Sequence, residues 1–247
     1  MSIQAVILDV YKTLLNVGPP AAEAERGWLN LARSALHNDP EVNLAEFDAA
    51  CREAVNQEHA RANAIGIQYP EVHWPGIACQ ACAQLKKLDA DSLEQFLCAH
   101  AALQRTTSLM EGAGDCLRQL QAAGCLVGIA SNAQAYTLTE LEKALEKESL
   151  SWDLFQPCIC FWSYQAGYSK PNPHVFRQLS ARLQGFGVPP EAALMVGDRA
   201  DNDIQPATAQ GWQTWRLMPE TSHDKSTSGN WKQLGCFLKG RLIGRPS

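Results

Sequence analysis

The sequence has no hydrophobic run that approaches the roughly 20 residues needed for a helix to cross a bilayer. It also lacks a basic block, since 21 Lys and Arg are set against 26 Asp and Glu for a net charge of −5, and this pattern does not indicate nucleic-acid binding. Residues 1–4 contain neither a basic patch nor an apolar signal core. These absences predict a cytoplasmic protein that binds neither membranes nor nucleic acid.

Disulfide and zinc-binding patterns are also missing, although the chain contains nine cysteines. The number is odd, and Cys79 and Cys82 form a single Cys-x-x-Cys pair with no second pair at a zinc-like spacing. We therefore expect reduced thiols that are mostly buried and structural. With 247 residues, 46% of them hydrophobic, the chain is long enough for a large core or for a core with an added domain.

The sequence does contain a short buried-strand pattern that ends abruptly in a carboxylate. Residues 6–8 form an aliphatic run, and Asp9 follows it directly. A carboxylate at this position either caps the next turn or enters the crevice at the carboxyl end of a parallel sheet, where α/β proteins bind ligands. The first strand alone leaves both interpretations open.

The chain divides into a helical block and a block in which strands and helices alternate. From about residue 21 to 103 the apolar spacing is helical, whereas strands alternate with helices from residue 112 onward. The alternation predicts parallel strands joined by right-handed crossovers. We predict an α/β fold: a doubly wound, Rossmann-like parallel-sheet core (residues 1–16 and 107–247) and a helical-bundle cap domain (residues 17–106).

Four predicted strands carry polar residues at or just past their carboxyl ends. They are Asp9, Ser131-Asn132, the loop around Lys170, and Gly197-Asp198. In a parallel sheet these ends lie along one edge, so the four groups should meet. Each has an ordinary alternative, because Ser131-Asn132 could cap a helix, Lys170 could be a solvated loop lysine and Asp198 could occupy a surface turn. The order of all four favours a common site.

The motifs are Asp9-Val10-Tyr11-Lys12-Thr13, Ser131-Asn132, Lys170 in Ser-Lys-Pro-Asn-Pro, and Gly197-Asp198 followed by Asp203. Together they resemble the motifs of the haloacid dehalogenase superfamily of hydrolases, over about residues 3–16 and 108–217. The helical block resembles the cap that many relatives insert after the first motif. The resemblance implies that Asp9 is the nucleophile.

The chemistry explains why these residue types are needed. A carboxylate can form a covalent intermediate, and Lys170 supplies a positive charge for phosphoryl oxygens. Asp9 and Asp198 in one crevice would repel each other unless a cation such as Mg²⁺ lay between them. We expect catalytic roles for Asp9 and Lys170. The expected substrate-binding residues are Tyr11, Lys12, Thr13, Ser131 and Asn132. By resemblance, the expected Mg²⁺ ligands are Asp9, Asp198, Asp203 and the backbone carbonyl of Tyr11.

The first motif departs from the family pattern at two positions. Tyr11 stands where phosphatases of the family have a second Asp that transfers protons, and Lys12 replaces the usual Gly. Lys12, Tyr11 or a cap residue such as His73 would then transfer the proton, or the substrate would have a good leaving group. Trp74, next to His73, either faces the pocket or packs between cap helices.

Three functions therefore remain open. We expect a Mg²⁺-dependent phosphatase that acts on a small phosphorylated metabolite through an aspartyl-phosphate on Asp9, as a monomer or homodimer. The alternative suggested by Tyr11 is a metal-independent 2-haloacid dehalogenase, for which Arg26 and Arg33 are candidate cap arginines. The third is a catalytically weak binding or regulatory module with the same fold.

Overall fold

The computed structural model describes residues 2–218 and 227–242. Its strands are β1 (Ala5–Leu8), β2 (Leu15–Val17), β3 (Thr107–Leu109), β4 (Leu126–Ser131), β5 (Cys160–Trp162), β6 (Ala193–Gly197), β7 (Gln213–Leu217) and β8 (Ser228–Gly229). Its α-helices are α1 (Ala24–Leu36), α2 (Leu44–Ala64), α3 (Trp74–Ala81), α4 (Ala90–Gln104), α5 (Ala113–Ala122), α6 (Tyr136–Lys147), α7 (Ser163–Ala166), α8 (Pro173–Gly185), α9 (Gln205–Thr208) and α10 (Trp231–Leu238).

Six strands form one parallel sheet in the order β5-β4-β1-β6-β7-β8. Strand β1 lies in the middle and pairs with β4 on one side and β6 on the other, with Leu8 level with Ile129 and Val196. Its side chains are buried on both faces, because Val6 and Leu8 belong to one apolar cluster and Ala5 and Ile7 to another. This explains the continuous apolar run in the sequence. The α/β sheet with helices around it agrees with the predicted fold class.

The helices α1–α4, which we call the helical insert, have an apolar core of their own. Trp28, Phe47, Ile77 and Phe96 are nearly inaccessible to solvent and belong to one cluster. Strands β2 and β3 pair in antiparallel fashion where the chain leaves the core and returns to it, with Val17 level with Thr107. No helix among residues 2–218 and 227–242 is long and apolar enough to span a membrane.

Several local predictions need correction. Ser131 is the last residue of β4 and α6 begins only at Tyr136, so Ser131-Asn132 does not cap this helix. The residue pattern predicts one helix over residues 203–210, whereas the structure has a π-helical turn, Ala200–Ile204, that leads into the short helix α9. Strands β2, β3 and β8 were not predicted, because two or three residues are too few to show an alternating pattern.

Candidate active site

Asp9 follows the central strand directly and is almost buried. Its backbone N–H donates a hydrogen bond to the carbonyl of Val196 in β6, at 3.0 Å. Ser131 ends β4 on one side of β1, and Asp198 follows β6 on the other. The parallel pairing therefore brings these strand ends to one edge of the sheet, as the sequence predicts.

Lys170 reaches the same edge from the loop before α8. Its Nζ donates hydrogen bonds to Asp9 Oδ1 at 2.7 Å and to Asp203 Oδ1 at 2.5 Å, and the side chain is 2% exposed. Burial opposes the charged ammonium, but the two carboxylates outweigh this effect and raise the pKa of Lys170. The alternative of a solvated loop lysine is therefore wrong.

Asn132 supports the lysine loop. Its side-chain amide donates a hydrogen bond to the carbonyl of Lys170 at 2.9 Å, and its Oδ1 accepts one from the Lys170 N–H at 2.7 Å. This bidentate contact occupies both ends of the amide. The predicted role of Asn132 in binding substrate remains a prediction, while its contacts assign it to holding Lys170 in place.

Three carboxylates lie together around Lys170. Asp9, Asp198 and Asp203 each offer an oxygen within 4.8 Å of the others. Burial is the largest effect on both Asp198 and Asp203 and raises the pKa of each, and repulsion from Asp203 adds to the effect on Asp198. One ammonium cannot balance three carboxylates, so the cluster fits a divalent cation with oxygen ligands.

Gly197 explains how Asp203 approaches the strand end so closely. A Cβ atom at Gly197 would lie 2.4 Å from Asp203 Oδ2, a separation so short that the Asp203 side chain would have to move. The same Oδ2 accepts a hydrogen bond from the Arg199 N–H at 3.1 Å. The glycine before Asp198 is therefore required by the packing of the π-helical turn, whereas the Asp201 side chain points away and pairs with Arg199 on the surface.

Two buried hydroxyl groups near Asp9 have no hydrogen-bond partner within the part of the chain that the structure describes. They are Thr13 Oγ1 and Ser131 Oγ. A buried hydroxyl without a partner costs free energy, about 1–3 kcal/mol as a general figure. Both residues belong to the predicted substrate-binding set, and both retain hydrogen-bonding capacity for a ligand oxygen.

Tyr11 is held at the contact between core and insert. Its hydroxyl accepts a hydrogen bond from Arg105 at 2.8 Å, lies 2.8 Å from Thr137 Oγ1 and donates to Glu140. Burial, as the largest effect, raises the pKa of Tyr11 above its usual range. We call Tyr11, Arg105, Thr137 and Glu140 the seam cluster. Its hydrogen bonds occupy the Tyr11 hydroxyl, so the expectation that this side chain binds substrate or transfers a proton is not supported.

The other candidates for proton transfer lie in different places. Lys12 has a left-handed backbone, φ 59°, and an exposed side chain that lines a surface groove together with Asp198. His73 caps the start of α3, where its Nδ1 accepts a hydrogen bond from the Gly76 N–H at 3.3 Å. Of these candidates, Lys12 is the one that faces a carboxylate of the cluster.

Residues that sequence reasoning missed come from the insert and from α6. Arg105 lies 94 positions from Tyr11 in the chain, and Glu140 lies 129 positions from it. The arginines considered instead, Arg26 and Arg33, form exposed ion pairs with Glu23 and Asp39. In the sequence, Arg105 is marked only by its position just before residue 107, where the predicted core resumes.

Residues 3–211 match the family model described as haloacid dehalogenase-like hydrolase. The chain therefore belongs to this hydrolase family. Two curated relatives are glyceraldehyde 3-phosphate phosphatases. The one from Methanopyrus kandleri is 46% identical over 55 residues, 22% of each chain, and the one from Pyrococcus furiosus is 29% identical over 135 residues, 53% of this chain and 52% of the relative. The chain thus matches about half or less of the length of these relatives.

Solved structures of the same fold come from several bacteria and an archaeon. The magnesium-bound HAD-hydrolase YfnB of Bacillus subtilis is 23% identical, with a TM-score of 0.53 over 96% of this chain and 99% of that one. A 2-haloacid dehalogenase from Pseudomonas syringae pv. Tomato is 17% identical, with a TM-score of 0.58 over 96% and 98%. A HAD phosphatase from Thermococcus onnurineus is also 17% identical, with a TM-score of 0.54 over 97% and 99%. At these identities the similarity shows the fold alone.

Proposed function

We propose that the protein is a Mg²⁺-dependent phosphatase that acts on a small phosphorylated metabolite. The observation that carries this proposal is the surplus of negative charge: Asp9, Asp198 and Asp203 lie together, and one ammonium group, that of Lys170, pairs with Asp9 and Asp203. The one ammonium offsets a single negative charge of the three, whereas a divalent cation would offset the other two. The curated phosphatase relatives support the same proposal.

In this proposal Asp9 is the nucleophile. A bond forms between its carboxylate oxygen and phosphorus while the bond from phosphorus to the leaving oxygen breaks, and the leaving oxygen takes a proton. Water then attacks the aspartyl-phosphate, which releases phosphate and restores Asp9. Lys170 offsets negative charge on the phosphoryl oxygens, and the hydroxyls of Thr13 and Ser131 donate hydrogen bonds to them.

Asp9, Asp198, Asp203 and the Tyr11 carbonyl would hold Mg²⁺, which supplies positive charge to a phosphoryl oxygen when bound. The donor set fits this ion, because three carboxylate oxygens lie within 4.8 Å of one another. The expectation for the Tyr11 carbonyl does not depend on the Tyr11 side chain. That side chain can remain in the seam cluster while the backbone serves the metal.

Proton transfer to the leaving group falls to Lys12, or the substrate has a leaving group that needs no proton. The engagement of Tyr11 and the position of His73 support this choice. The Lys12→Met variant separates the two cases. If Lys12 supplies the proton, this variant loses activity on an alkyl phosphate and keeps it on p-nitrophenyl phosphate, whose leaving group is stable as an anion.

The helical insert would act as the cap that selects the substrate. A cavity of about 400 Å³ lies among α2, α3 and α4 and reaches Tyr136 of the core, and Trp74 and Arg52 line it. Trp74 also makes an edge contact with the Tyr136 ring. The cavity is large enough for a small metabolite, and its lining includes Arg105 of the seam cluster but none of the carboxylates near Lys170.

The second candidate is metal-independent 2-haloacid dehalogenation, which Tyr11 favours because a halide leaving group needs no proton. A module with little turnover is the third outcome. The deciding experiment measures phosphate release from p-nitrophenyl phosphate, acetyl phosphate and glyceraldehyde 3-phosphate with Mg²⁺ and with EDTA. Mg²⁺-dependent release that the Asp9→Asn variant lacks supports the proposal, whereas metal-free halide release from 2-chloropropionate supports the dehalogenase.

A further inference from the structure

Tyr11 and Arg105 of the seam cluster connect two parts of the molecule. One part is the loop that follows Asp9 (residues 10–14), which we call the nucleophile loop, and the other is the helical insert. Arg105 immediately follows α4 of the insert, and Tyr11 lies two residues after Asp9. The Arg105 guanidinium donates to the Tyr11 hydroxyl at 2.8 Å and to both Glu140 oxygens, at 2.8 and 3.1 Å. One guanidinium therefore ties the insert to the nucleophile loop and to α6 at the same time.

Stacking extends this connection. The Arg105 guanidinium carbon lies 4.8 Å from the centre of the Tyr11 ring and 5.0 Å from the centre of the Tyr136 ring. The Tyr136 ring in turn meets the Trp74 ring edge-on at 6.5 Å. In this row Tyr11 and Tyr136 belong to the core, and Arg105 and Trp74 belong to the insert. Movement of the insert would therefore displace the guanidinium from both tyrosine rings.

We infer that Arg105 and Tyr11 are positioning residues that hold the nucleophile loop in the geometry needed for metal binding. Position 11 contributes its backbone carbonyl to the expected metal site, and its side chain is anchored through Arg105 to the insert. The tyrosine that replaces the proton-transferring aspartate thus has a function of its own, as the core half of a contact with the insert. The expected effect on Mg²⁺ affinity rests on the proposed function. The expected effect on the order of the nucleophile loop does not.

The first test measures Mg²⁺ affinity by titration calorimetry. Loss of a group that orients metal ligands typically weakens metal binding about 10–100-fold. Arg105→Gln should therefore raise the Kd for Mg²⁺ about tenfold, and Tyr11→Phe, which keeps the ring, should raise it less. The double variant should be no weaker than Arg105→Gln alone, since both changes remove the same contact. Arg118→Gln removes an arginine that pairs with Asp115 and Glu148 and makes no contact with the seam cluster among the described residues, and it should leave the Kd unchanged.

The second test measures amide hydrogen exchange over residues 10–15 in the metal-free protein. Arg105→Gln should speed exchange in this segment, whereas Arg118→Gln should not. A lower melting temperature with unchanged Mg²⁺ affinity and unchanged exchange over residues 10–15 would assign the cluster to stability alone and overturn the inference. If the wild-type protein binds no Mg²⁺, the proposed function fails, and the exchange measurement still decides whether Arg105 orders the loop.

Discussion

Two cations among the described residues, the buried Lys170 and the partly buried Arg105, have different surroundings. Lys170 lies among three carboxylates, with two hydroxyls nearby that lack partners in the described part of the chain. Arg105 in the seam cluster has one carboxylate, Glu140, and its hydroxyl neighbours Tyr11 and Thr137 are hydrogen-bonded. The first cluster has unmatched charge and unused hydrogen-bonding groups, whereas the second is balanced.

The seam cluster is complete without a ligand, whereas the cluster around Lys170 has charges and hydroxyl groups that a ligand could match. Buried charges and hydroxyls are costly unless they are matched. The seam cluster meets this requirement with residues of the chain. The carboxylates around Lys170 would meet it with a cation, and the hydroxyls with phosphoryl oxygens. Substitutions that remove charge should therefore have opposite consequences in the two clusters.

The largest expected effect is on turnover. Asp9→Asn removes the nucleophile of the proposed reaction and should lower Mg²⁺-dependent turnover of p-nitrophenyl phosphate at least about a thousandfold. We expect the variant to fold, because it removes one negative charge from a cluster that has three carboxylates and one ammonium group. Steady-state kinetics measure the loss of turnover, and circular dichroism checks that the fold is retained. Turnover near the wild-type value would exclude Asp9 as nucleophile.

The next effect is on stability and contrasts the two clusters directly. Glu140→Gln would leave the Arg105 charge without its carboxylate partner, and the two side chains are 11% and 22% exposed. We expect the free energy of unfolding to fall by about 3 kcal/mol, because breaking a buried ion pair strands the remaining charge. Asp198→Asn should leave the metal-free protein as stable as the wild type or more stable, since it relieves repulsion.

Urea denaturation in EDTA measures both variants against the wild type. A large loss for Asp198→Asn would mean that its carboxylate already has a stabilising partner within the protein. A negligible loss for Glu140→Gln would mean that solvent reaches Arg105 and replaces the carboxylate. Either outcome would remove the distinction between the clusters.

The same contrast shows what sequence can predict. Asp9, Ser131 and Asp198 were predicted to meet because each lies at or just past the end of an apolar strand, and parallel pairing then fixes their common edge. The regular α/β alternation likewise predicted the fold class. These inferences use local patterns together with one rule of topology.

The seam cluster could not be predicted in this way. The contact between Tyr11 and Arg105 depends on how the insert docks on the core, and no periodicity reports that geometry. The role of Asn132 depends on hydrogen bonds to the backbone of Lys170, 38 positions away in the chain, which no local pattern encodes. The position of Asp203 required a π-helical turn, which is rare enough that an ordinary helix was the natural prediction.

A third effect is stabilisation by the ion itself. A ligand that binds the folded state alone stabilises it by about 2.7 kcal/mol at a concentration of 100 times its Kd. Mg²⁺ should therefore raise the melting temperature of the wild-type protein in differential scanning calorimetry. The shift should largely disappear in Asp198→Asn, because this variant removes a predicted ligand. A shift of equal size in both proteins would place Mg²⁺ binding elsewhere.

The smallest effect concerns the hydroxyls. Ser131→Ala removes a buried hydroxyl that has no partner in the described residues, so stability should stay the same or rise by up to about 1 kcal/mol. Thr137→Val removes a hydroxyl that contacts Tyr11 at 2.8 Å and should cost about 1 kcal/mol. Activity should show the reverse order, with the larger loss in Ser131→Ala, because that hydroxyl is expected to serve the phosphoryl group. If Ser131→Ala destabilised the metal-free protein as much as Thr137→Val does, the serine would belong to the structure and not to the binding of a ligand.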